Sequence, residues 1–225
     1  MSDFATLADA VESSEFWRIV GLSLSVSLSA SALATVLGLP AGAALAIWRF
    51  PGRGAIVVAA NALLGLPPVV VGLALYLLLS HWGPLGRLGL LFTPRAMVIA
   101  QTLLALPIVV ALAHRAGEDY WHAYGDALMD LGASRWRAVP VLIAMARAPM
   151  LTAALAGFGR TVSEVGAIII VGGNIAGYTR TMTTAIVLET SMGNLPLALG
   201  LGLVLIGLTT MICAGAFALT GRVNR

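Results

Sequence analysis

Residues 19–47 form a run of 29 amino acids without a single charged side chain. As an α-helix this run would be about 43 Å long, which exceeds the roughly 30 Å hydrocarbon core of a bilayer. Of the 225 residues, 59% are apolar and only 10% are charged, and the mean hydropathy is +0.95. A soluble domain of this composition would not stay in solution, so we expect an all-α integral membrane protein.

The serines of this run occupy every second position, which in a soluble protein would indicate a β-strand. We favour a membrane helix instead. Serine hydroxyls can bond back to carbonyls one turn earlier, and their small side chains let helices pack closely. The five serines are Ser23, Ser25, Ser27, Ser29 and Ser31.

Four further apolar runs are long enough to be membrane helices. The second run of the chain contains Pro67 and Pro68, which lack backbone donors and should kink or interrupt it. The connection at residues 81–95 holds Trp82, which we interpret as an anchor at the membrane interface. The four runs span residues 55–80, 96–113, 150–171 and 195–220.

The distribution of arginine predicts how these five helices are oriented. All thirteen basic residues are arginine, and cytoplasmic segments of membrane proteins carry an excess of basic residues. With the N-terminus outside, eight arginines fall in inside segments and four in outside segments. We therefore predict five transmembrane helices, with the N-terminus outside and the C-terminus in the cytoplasm. The inside arginines are Arg49, Arg53, Arg115, Arg135, Arg137, Arg147, Arg222 and Arg225, and the outside ones are Arg18, Arg87, Arg95 and Arg180.

The two ends and the single cysteine set further limits. Residues 1–18 are acidic up to Arg18, the opposite of the basic start of a signal peptide, and we interpret them as an extracytoplasmic tail. Residues 19–220 then form the membrane domain, and residues 221–225 a cytoplasmic tail. Cys213 is alone, which excludes an intrachain disulfide and argues against a metal or redox site. The net charge of +3 is too small and scattered to indicate a nucleic-acid partner.

The longest polar interruption, residues 114–149, is where the chain can meet a soluble partner. Its first half has helical periodicity, with an apolar face opposite a charged one. Gly132 is predicted to end this helix, and Ser134 is placed to cap a second helix that begins at Arg135. The arginine count puts this helix, turn and helix in the cytoplasm. The apolar face is formed by Tyr120, Ala123, Tyr124, Ala127, Leu128 and Leu131.

An Asp-Ala pair at residues 126–127, followed by Gly-Ala-Ser at residues 132–134, resembles the cytoplasmic EAA loop of importer-type ABC transporter permeases. Asp126 stands where that family usually has Glu, and Leu128 replaces the second Ala. The resemblance implies a type I ABC importer transmembrane domain whose residues 114–149 couple it to an ATPase. The residues assigned to coupling are Tyr124, Asp126, Ala127, Leu128, Gly132, Ala133 and Ser134.

Arg160 and Glu164 lie four residues apart, deep inside the apolar run at residues 150–171. Ionisable groups at that depth are costly and must face protein or water. One interpretation is an ion pair that holds helices together. The other is that the two residues line or gate a pathway through the membrane.

Residues 172–184 are too polar to face lipid, so they must lie at the surface or line a cavity. Glycine backbone N–H groups, threonine hydroxyls and one Arg are donors, which suit an oxyanion better than a cation. The alternative is a solvated hairpin followed by a short helix at residues 183–191. No catalytic or metal-binding residue is predicted. The candidate path or gate residues are Arg160, Glu164, Asn174, Arg180, Thr181 and Thr183.

The sequence at residues 159–190 resembles permeases of tungstate importers, and more loosely those for molybdate and sulfate. This resemblance implies a homodimer in the bacterial inner membrane, two ATPase subunits that bind ATP and Mg²⁺, and an external solute-binding protein. The chain contains no lysine and no Gly-rich phosphate loop, so we expect no ATP hydrolysis and no cofactor on this subunit.

Two other classes of membrane protein are alternatives to the importer. A stand-alone channel or ion-coupled transporter would need its own coupling sites and often has internal repeats, and we find no second copy of any segment. A membrane-anchored scaffold would not need Arg160 and Glu164 in the middle of a span. The sequence thus predicts an oxyanion importer permease, for tungstate first, molybdate second and sulfate third.

Overall fold

The computed structural model describes residues 14–223, with side chains through residue 218. Within that range the regular structure is helical and contains no strand, which confirms the predicted all-α class. Residues 1–13 and 224–225 lie outside the described residues, and so does most of each predicted tail. The helices are α1 (Ser14–Ile47), α2 (Arg53–Ala62), α3 (Pro68–Leu79), α4 (Pro94–Asp130), α5 (Arg135–Met145), α6 (Arg147–Val162), α7 (Gly166–Gly172), α8 (Met182–Ser191) and α9 (Leu195–Val223).

The chain divides into two compact units, and three helices contribute residues to both. Unit one contains the described residues up to Ser29, then Pro67–Gln101, and the chain from Thr161 on. Unit two contains Ala30–Leu66 and Thr102–Arg160.

Three helices, α1, α4 and α9, are each long and apolar enough to cross a membrane. Two further spans are possible if each of two bent helix pairs counts as one, which gives three to five spans among the described residues. In the first pair, the segment Arg53–Gly65 meets α3 at 103°. Leu66 is extended there, with ψ 121°, because a residue before proline avoids the helical region. The predicted interruption of the second apolar run is therefore confirmed.

The serine-rich run is helical throughout, so the strand alternative is excluded. Ser25 Oγ donates to the Leu22 carbonyl at 2.9 Å, the back-bonding expected of a serine in a membrane helix. Within unit two, α1 and α4 approach closely at a glycine. A Cβ atom on Gly42 would lie 2.7 Å from the carbonyl oxygen of Val110. Only glycine permits this approach of the two backbones.

The third span differs from expectation, because the apolar run at residues 96–113 and the predicted amphipathic helix after it form one continuous helix. The sequence suggested a span at residues 96–113 and a separate amphipathic helix, whereas α4 continues for 37 residues. Gly117 lies between the two parts but does not end the helix. A Cβ atom there would lie 2.9 Å from Cβ of Ala46, so Gly117 serves close packing against α1.

The fourth span also differs, because residues 150–171 do not form one helix. Helix α6 ends at Val162, and the short α7 begins at Gly166. Glu164 lies in the break, and its Oε1 accepts a hydrogen bond from the Ala167 backbone N–H at 2.9 Å. A carboxylate in that position satisfies a free donor at the start of α7 and so stabilises a helix start where the apolar pattern predicts continuity.

Candidate functional site

The helix stop predicted at Gly132 is present. Helix α4 ends at Asp130, and Gly132 has a φ of +80°, in the left-handed region. The Gly132 N–H donates to the Met129 carbonyl at 2.9 Å, and the Ala133 N–H donates to the Leu128 carbonyl at 3.1 Å. These bonds satisfy carbonyls that the end of a helix leaves free, and glycine adopts the required backbone without a steric penalty.

The start predicted for the next helix is also present. Helix α5 begins at Arg135, and Ser134 Oγ accepts a hydrogen bond from the Arg137 N–H at 3.4 Å. This is the N-cap interaction that serine provides. Hydrogen bonds within residues 128–137 therefore form the reversal between α4 and α5.

The apolar side chains around this reversal point away from the core. Leu131 is 85% exposed, Trp136 is 77% exposed, and Tyr124 is 48% exposed. A cluster of exposed large apolar groups is typical of a surface that binds another protein. Of the other predicted coupling residues, Asp126, Ala127, Gly132 and Ser134 are exposed, and Leu128 and Ala133 are half-buried.

Within unit two, Arg53 makes hydrogen bonds to the end of α1 and to the part of α4 that follows its apolar run. This part, residues 114–130, is the arm of α4. Its Nε donates to the Leu45 carbonyl at 2.6 Å, one of the carbonyls that the end of α1 leaves free. Its Nη2 donates to Glu118 Oε1 at 2.5 Å and lies 2.8 Å from His114 Nε2. The guanidinium thus joins three acceptors at the point where α4 leaves its apolar run.

The charges of this cluster shift two pKa values. Burial raises the pKa of the Glu118 carboxyl, but the hydrogen bond from Arg53 and the positive groups nearby outweigh it, and the net shift is downward from 4.5. Burial lowers the pKa of His114 from 6.5, and although Glu118 opposes this, the net shift is also downward. The imidazole is therefore neutral at pH 7, and its unprotonated Nε2 can accept a hydrogen bond from Arg53.

Aromatic and apolar packing adds to this connection. The rings of Trp48, just after α1, and Trp136, in α5, lie 4.4 Å apart between centroids. Beneath them, Ile47 packs with Leu142 in a buried cluster. The end of α1, the arm of α4 and helix α5 therefore share one packed core in unit two.

In the polar segment after α7, hydrogen bonds of one threonine connect the end of the loop to its beginning. Thr179 is buried, and its Oγ1 donates to the Gly172 carbonyl at 2.6 Å and accepts from the Ile175 N–H at 2.9 Å. Asn174 has a φ of +48°, and its Oδ1 is buried without a hydrogen-bond donor among residues 14–218. The segment is thus a folded loop closed by Thr179, and residues 175–178 within it are exposed.

Arg180 lies at the edge of a cavity of about 170 Å³ in unit one. Its Nη1 is 3.9 Å from Glu15 Oε1, and Glu189 lines the same cavity. The arginine therefore shares its surroundings with two carboxylates.

The threonines at the start of α8 form a buried hydroxyl cluster. Thr181 and Thr184 make a capping box, in which each side chain accepts a hydrogen bond from the other's backbone N–H. The Thr181 and Thr183 hydroxyls are 3.2 Å apart, and Thr183 Oγ1 donates to the Glu164 carbonyl at 3.0 Å. Glu164 itself is only 2% exposed. The predicted short helix is confirmed, beginning at Met182.

Of the six candidate path residues, the structure brings Glu164, Thr181 and Thr183 together. Arg160 is half-buried in the last turn of α6, before the helix break, so it does not share a helix with Glu164. Asn174 and Arg180 lie in the loop that precedes the threonines. None of these placements tests a role in transport, and the six assignments stay predictions.

Three residues outside the predicted set complete the buried cluster. Ser23 Oγ accepts the Met182 N–H at 2.6 Å. Gln101 Nε2 donates to the Thr161 carbonyl at 2.8 Å, and Thr161 Oγ1 donates to the Ser27 carbonyl at 3.2 Å. Gln101 carried a sequence signal, since it is the only glutamine of the chain and lies within an apolar span.

Comparison with known proteins identifies relatives across most of the chain. The probable anion ABC transporter permease protein of Haloferax volcanii is 40% identical over 84% of this chain and 84% of its own length. The tungstate uptake system permease protein TupB of Peptoclostridium acidaminophilum is 36% identical over 91% and 90%. The molybdenum transport system permease protein ModB of Azotobacter vinelandii is 34% identical over 73% and 78%. No protein-family profile matches the chain.

Proposed function

The chain belongs to the family of ABC transporter permeases that includes the tungstate and molybdenum transport permeases, and on that basis we propose that it is the membrane subunit of a tungstate importer. The observation that carries the proposal is the 36% identity to a tungstate permease over 91% of this chain. Members of this family are membrane proteins, in keeping with the long apolar helices described above.

We propose a topology of five spans, with the N-terminus outside and the C-terminus in the cytoplasm. The five spans of this topology are the apolar runs at residues 19–47, 55–80, 96–113, 150–171 and 195–220. The excess of arginine in the segments assigned to the inside supports this orientation. Residues 114–149, with the exposed reversal at Gly132, lie on the cytoplasmic side in this arrangement.

We propose that the exposed surface around the reversal docks an ATPase subunit. Its support is the exposure of Leu131 and Trp136 beside the hydrogen-bonded turn at Gly132. ATP and Mg²⁺ bind the partner ATPase, and this chain has no enzymatic activity of its own. The docking residues are Tyr124, Asp126, Ala127, Leu128, Gly132, Ala133 and Ser134.

The proposed mechanism is alternating access. Closure of two ATPase subunits on ATP displaces the arm of α4 and helix α5, and the spans rock around a path for the anion. Neutral donors along that path replace the hydration of a doubly charged anion without trapping it, as a ring of fixed positive charges would. The proposed path or gate residues are Arg160, Glu164, Asn174, Arg180, Thr181 and Thr183.

The complex is proposed to be a homodimer of this chain with two ATPase subunits, in the inner membrane of a bacterium. An external solute-binding protein delivers the anion. Tungstate and molybdate are nearly equal in size and charge, so selection between them resides in the delivering protein and not in this chain.

A molybdate importer is the second candidate, since the chain is 34% identical to a molybdenum permease. Sulfate is third, with 26% identity to a sulfate transport permease. A stand-alone channel or ion-coupled transporter is disfavoured, because the named relatives are all permease proteins of multi-component transport systems.

The test is uptake of labelled tungstate by cells that carry the whole transport system, in competition with molybdate and sulfate. We expect tungstate uptake that molybdate reduces and sulfate does not. Competition by sulfate equal to that by unlabelled tungstate would contradict the tungstate assignment. Uptake of a cation or an organic solute instead would contradict the oxyanion proposal altogether.

A further inference from the structure

A small cavity lies in unit one, lined by side chains from α1, α4, α6, α7, α8 and α9 and by Thr181 just before α8. Six of its lining residues are polar, and the remainder are apolar. The cavity offers about 10 Å³ to the centre of a water-sized sphere. Its polar residues are Ser23, Ser27, Gln101, Thr181, Thr183 and Thr209.

Gln101 is the residue of this cavity with an unfilled hydrogen-bonding position. It is 2% exposed, and its Nε2 is fixed by donation to the Thr161 carbonyl at 2.8 Å. Its Oε1 is buried and has no donor within hydrogen-bonding distance among residues 14–218. Reversing the amide would place Oε1 against the Thr161 carbonyl, two acceptors facing each other, so the oxygen must be the free atom.

A buried amide oxygen without a donor is rare in folded proteins, which indicates that this position takes a partner. The partner must be a hydrogen-bond donor. An oxyanion carries only acceptors, so the cavity rejects tungstate and its relatives. The volume sets the size of the partner, because about 10–15 Å³ on this measure holds one water molecule.

Two hydroxyls of the cavity retain hydrogen-bonding capacity for such a partner. Ser27 Oγ lies 3.5 Å from the Thr161 carbonyl, at the long limit of a hydrogen bond. Thr209 Oγ1 donates to the Leu205 carbonyl at 2.7 Å, which leaves its lone pairs free to accept. A buried water needs two to four polar partners, and Gln101 with these hydroxyls supplies them.

We propose that this cavity is a binding site for one water molecule, which donates to Gln101 Oε1 and bonds to the hydroxyls of Ser27 or Thr209. The water completes the hydrogen bonding of the side chain that holds the last turn of α6 through the Thr161 carbonyl. This site is independent of the proposed transport function, since it requires only the fold of unit one.

Gln101 is the only glutamine of the chain, so glutamine labelling reports this single side chain. The experiment uses the full-length chain in lipid bilayers, labelled with ¹⁵N and ¹³C in the glutamine side chain. Proton-detected solid-state NMR measures magnetisation transfer from water to the amide protons, and infrared spectroscopy measures the ¹³C=O stretch. We expect transfer from water and a stretch lowered by hydrogen bonding.

Ser27→Val puts methyl groups into the cavity and should abolish the water transfer and raise the stretching frequency. Ser191→Val is the matched control, because Ser191 is exposed on α8 and does not line the cavity. No transfer in the unmodified chain would overturn the proposal. A hydrogen-bonded stretch without transfer would overturn it as well, since a protein hydroxyl would then be the donor. Equal magnetisation transfer from water in Ser27→Val and in the unmodified chain would also overturn it, because the water would then lie outside this cavity.

Discussion

The reversal at residues 128–137 and the break at residues 161–184 use polar groups in opposite ways. At the reversal, the bonds of Gly132, Ala133 and Ser134 join residues three to five positions apart, and Leu131 is exposed. At the break, Thr183 bonds to Glu164 from 19 residues away, and both are buried.

This difference shows which segment can change partners without unfolding. A turn that satisfies its own backbone can leave apolar side chains exposed for a second protein. A buried hydroxyl cluster holds its own helices together, and each hydroxyl removed leaves an acceptor or donor without a partner.

Thr183→Val should have the largest effect. It keeps the side-chain volume but removes the hydroxyl that donates to the Glu164 carbonyl at 3.0 Å. The variant loses the buried hydrogen bonds of this hydroxyl to the Glu164 carbonyl and to Thr181, which together should cost about 1–3 kcal/mol. Thermal unfolding of the purified protein measures this loss. Thr190→Val is the matched control because Thr190 is exposed. Equal stability of the two variants would mean that the threonine cluster does not hold the break.

Gly132→Val should cost about 1–2 kcal/mol, since L-residues are strained in the left-handed region. That strain opposes the reversal, and we expect ATP-driven transport to fall roughly 5- to 30-fold while the protein still inserts. Gly207→Val is the matched control. At both glycines a Cβ atom would have no neighbour within 4 Å, but of the two only Gly132 has a positive φ. Equal transport by the two variants would show that the reversal at Gly132 is not needed to couple ATP hydrolysis to transport.

Glu118→Gln should lower stability by no more than about 1 kcal/mol, because the pair with Arg53 is partly exposed. The pKa of Glu118 is lower in the folded state than its usual 4.5. The ionised carboxylate therefore contributes fully to the free energy of unfolding above pH 4.5, and this contribution is lost as the pH falls through the lowered pKa. The stability difference between the unmodified chain and Glu118→Gln should therefore shrink on acidification. A difference that grows would reverse the sign of this interaction.

Leu131→Ser should change stability by less than about 0.5 kcal/mol, since the side chain is 85% exposed. Its effect should appear only with the partner present, as weaker co-purification of the ATPase. Val187→Ser, on an exposed apolar residue of α8, is the control. A large loss of stability in Leu131→Ser, or unchanged ATPase binding, would contradict the assignment of this surface.

The sequence predicted those parts of the fold that depend on composition and local chemistry. The apolar runs located the membrane helices, Pro67 located the 103° bend, and Gly132 and Ser134 located the reversal. Each of these features is determined within a few residues of where it occurs.

The parts that were missed depend on residues distant in the sequence. The break after Val162 falls inside the run at residues 150–171, where the sequence predicted one span. It is held by contacts of Glu164 and of Gln101, which lies 60 residues from its acceptor Thr161. Gly117 likewise lies within α4 and packs closely against Ala46 of another helix, a contact between residues 71 positions apart. No local pattern reports such pairs, so the buried cluster was assembled only in part from the sequence.

The most direct test of the contrast between an open reversal and a closed cluster is cysteine accessibility. With Cys213 replaced by Ser, single-cysteine variants Trp82→Cys, Leu131→Cys and Thr183→Cys are treated with a membrane-impermeant maleimide from either side. Trp82 is 95% exposed and Thr183 only 8%. We predict labelling of position 82 from outside, labelling of position 131 from the cytoplasmic side with protection by the ATPase, and no labelling of position 183. Labelling of positions 82 and 131 from the same side, or free access to position 183 in the resting complex, would contradict the account.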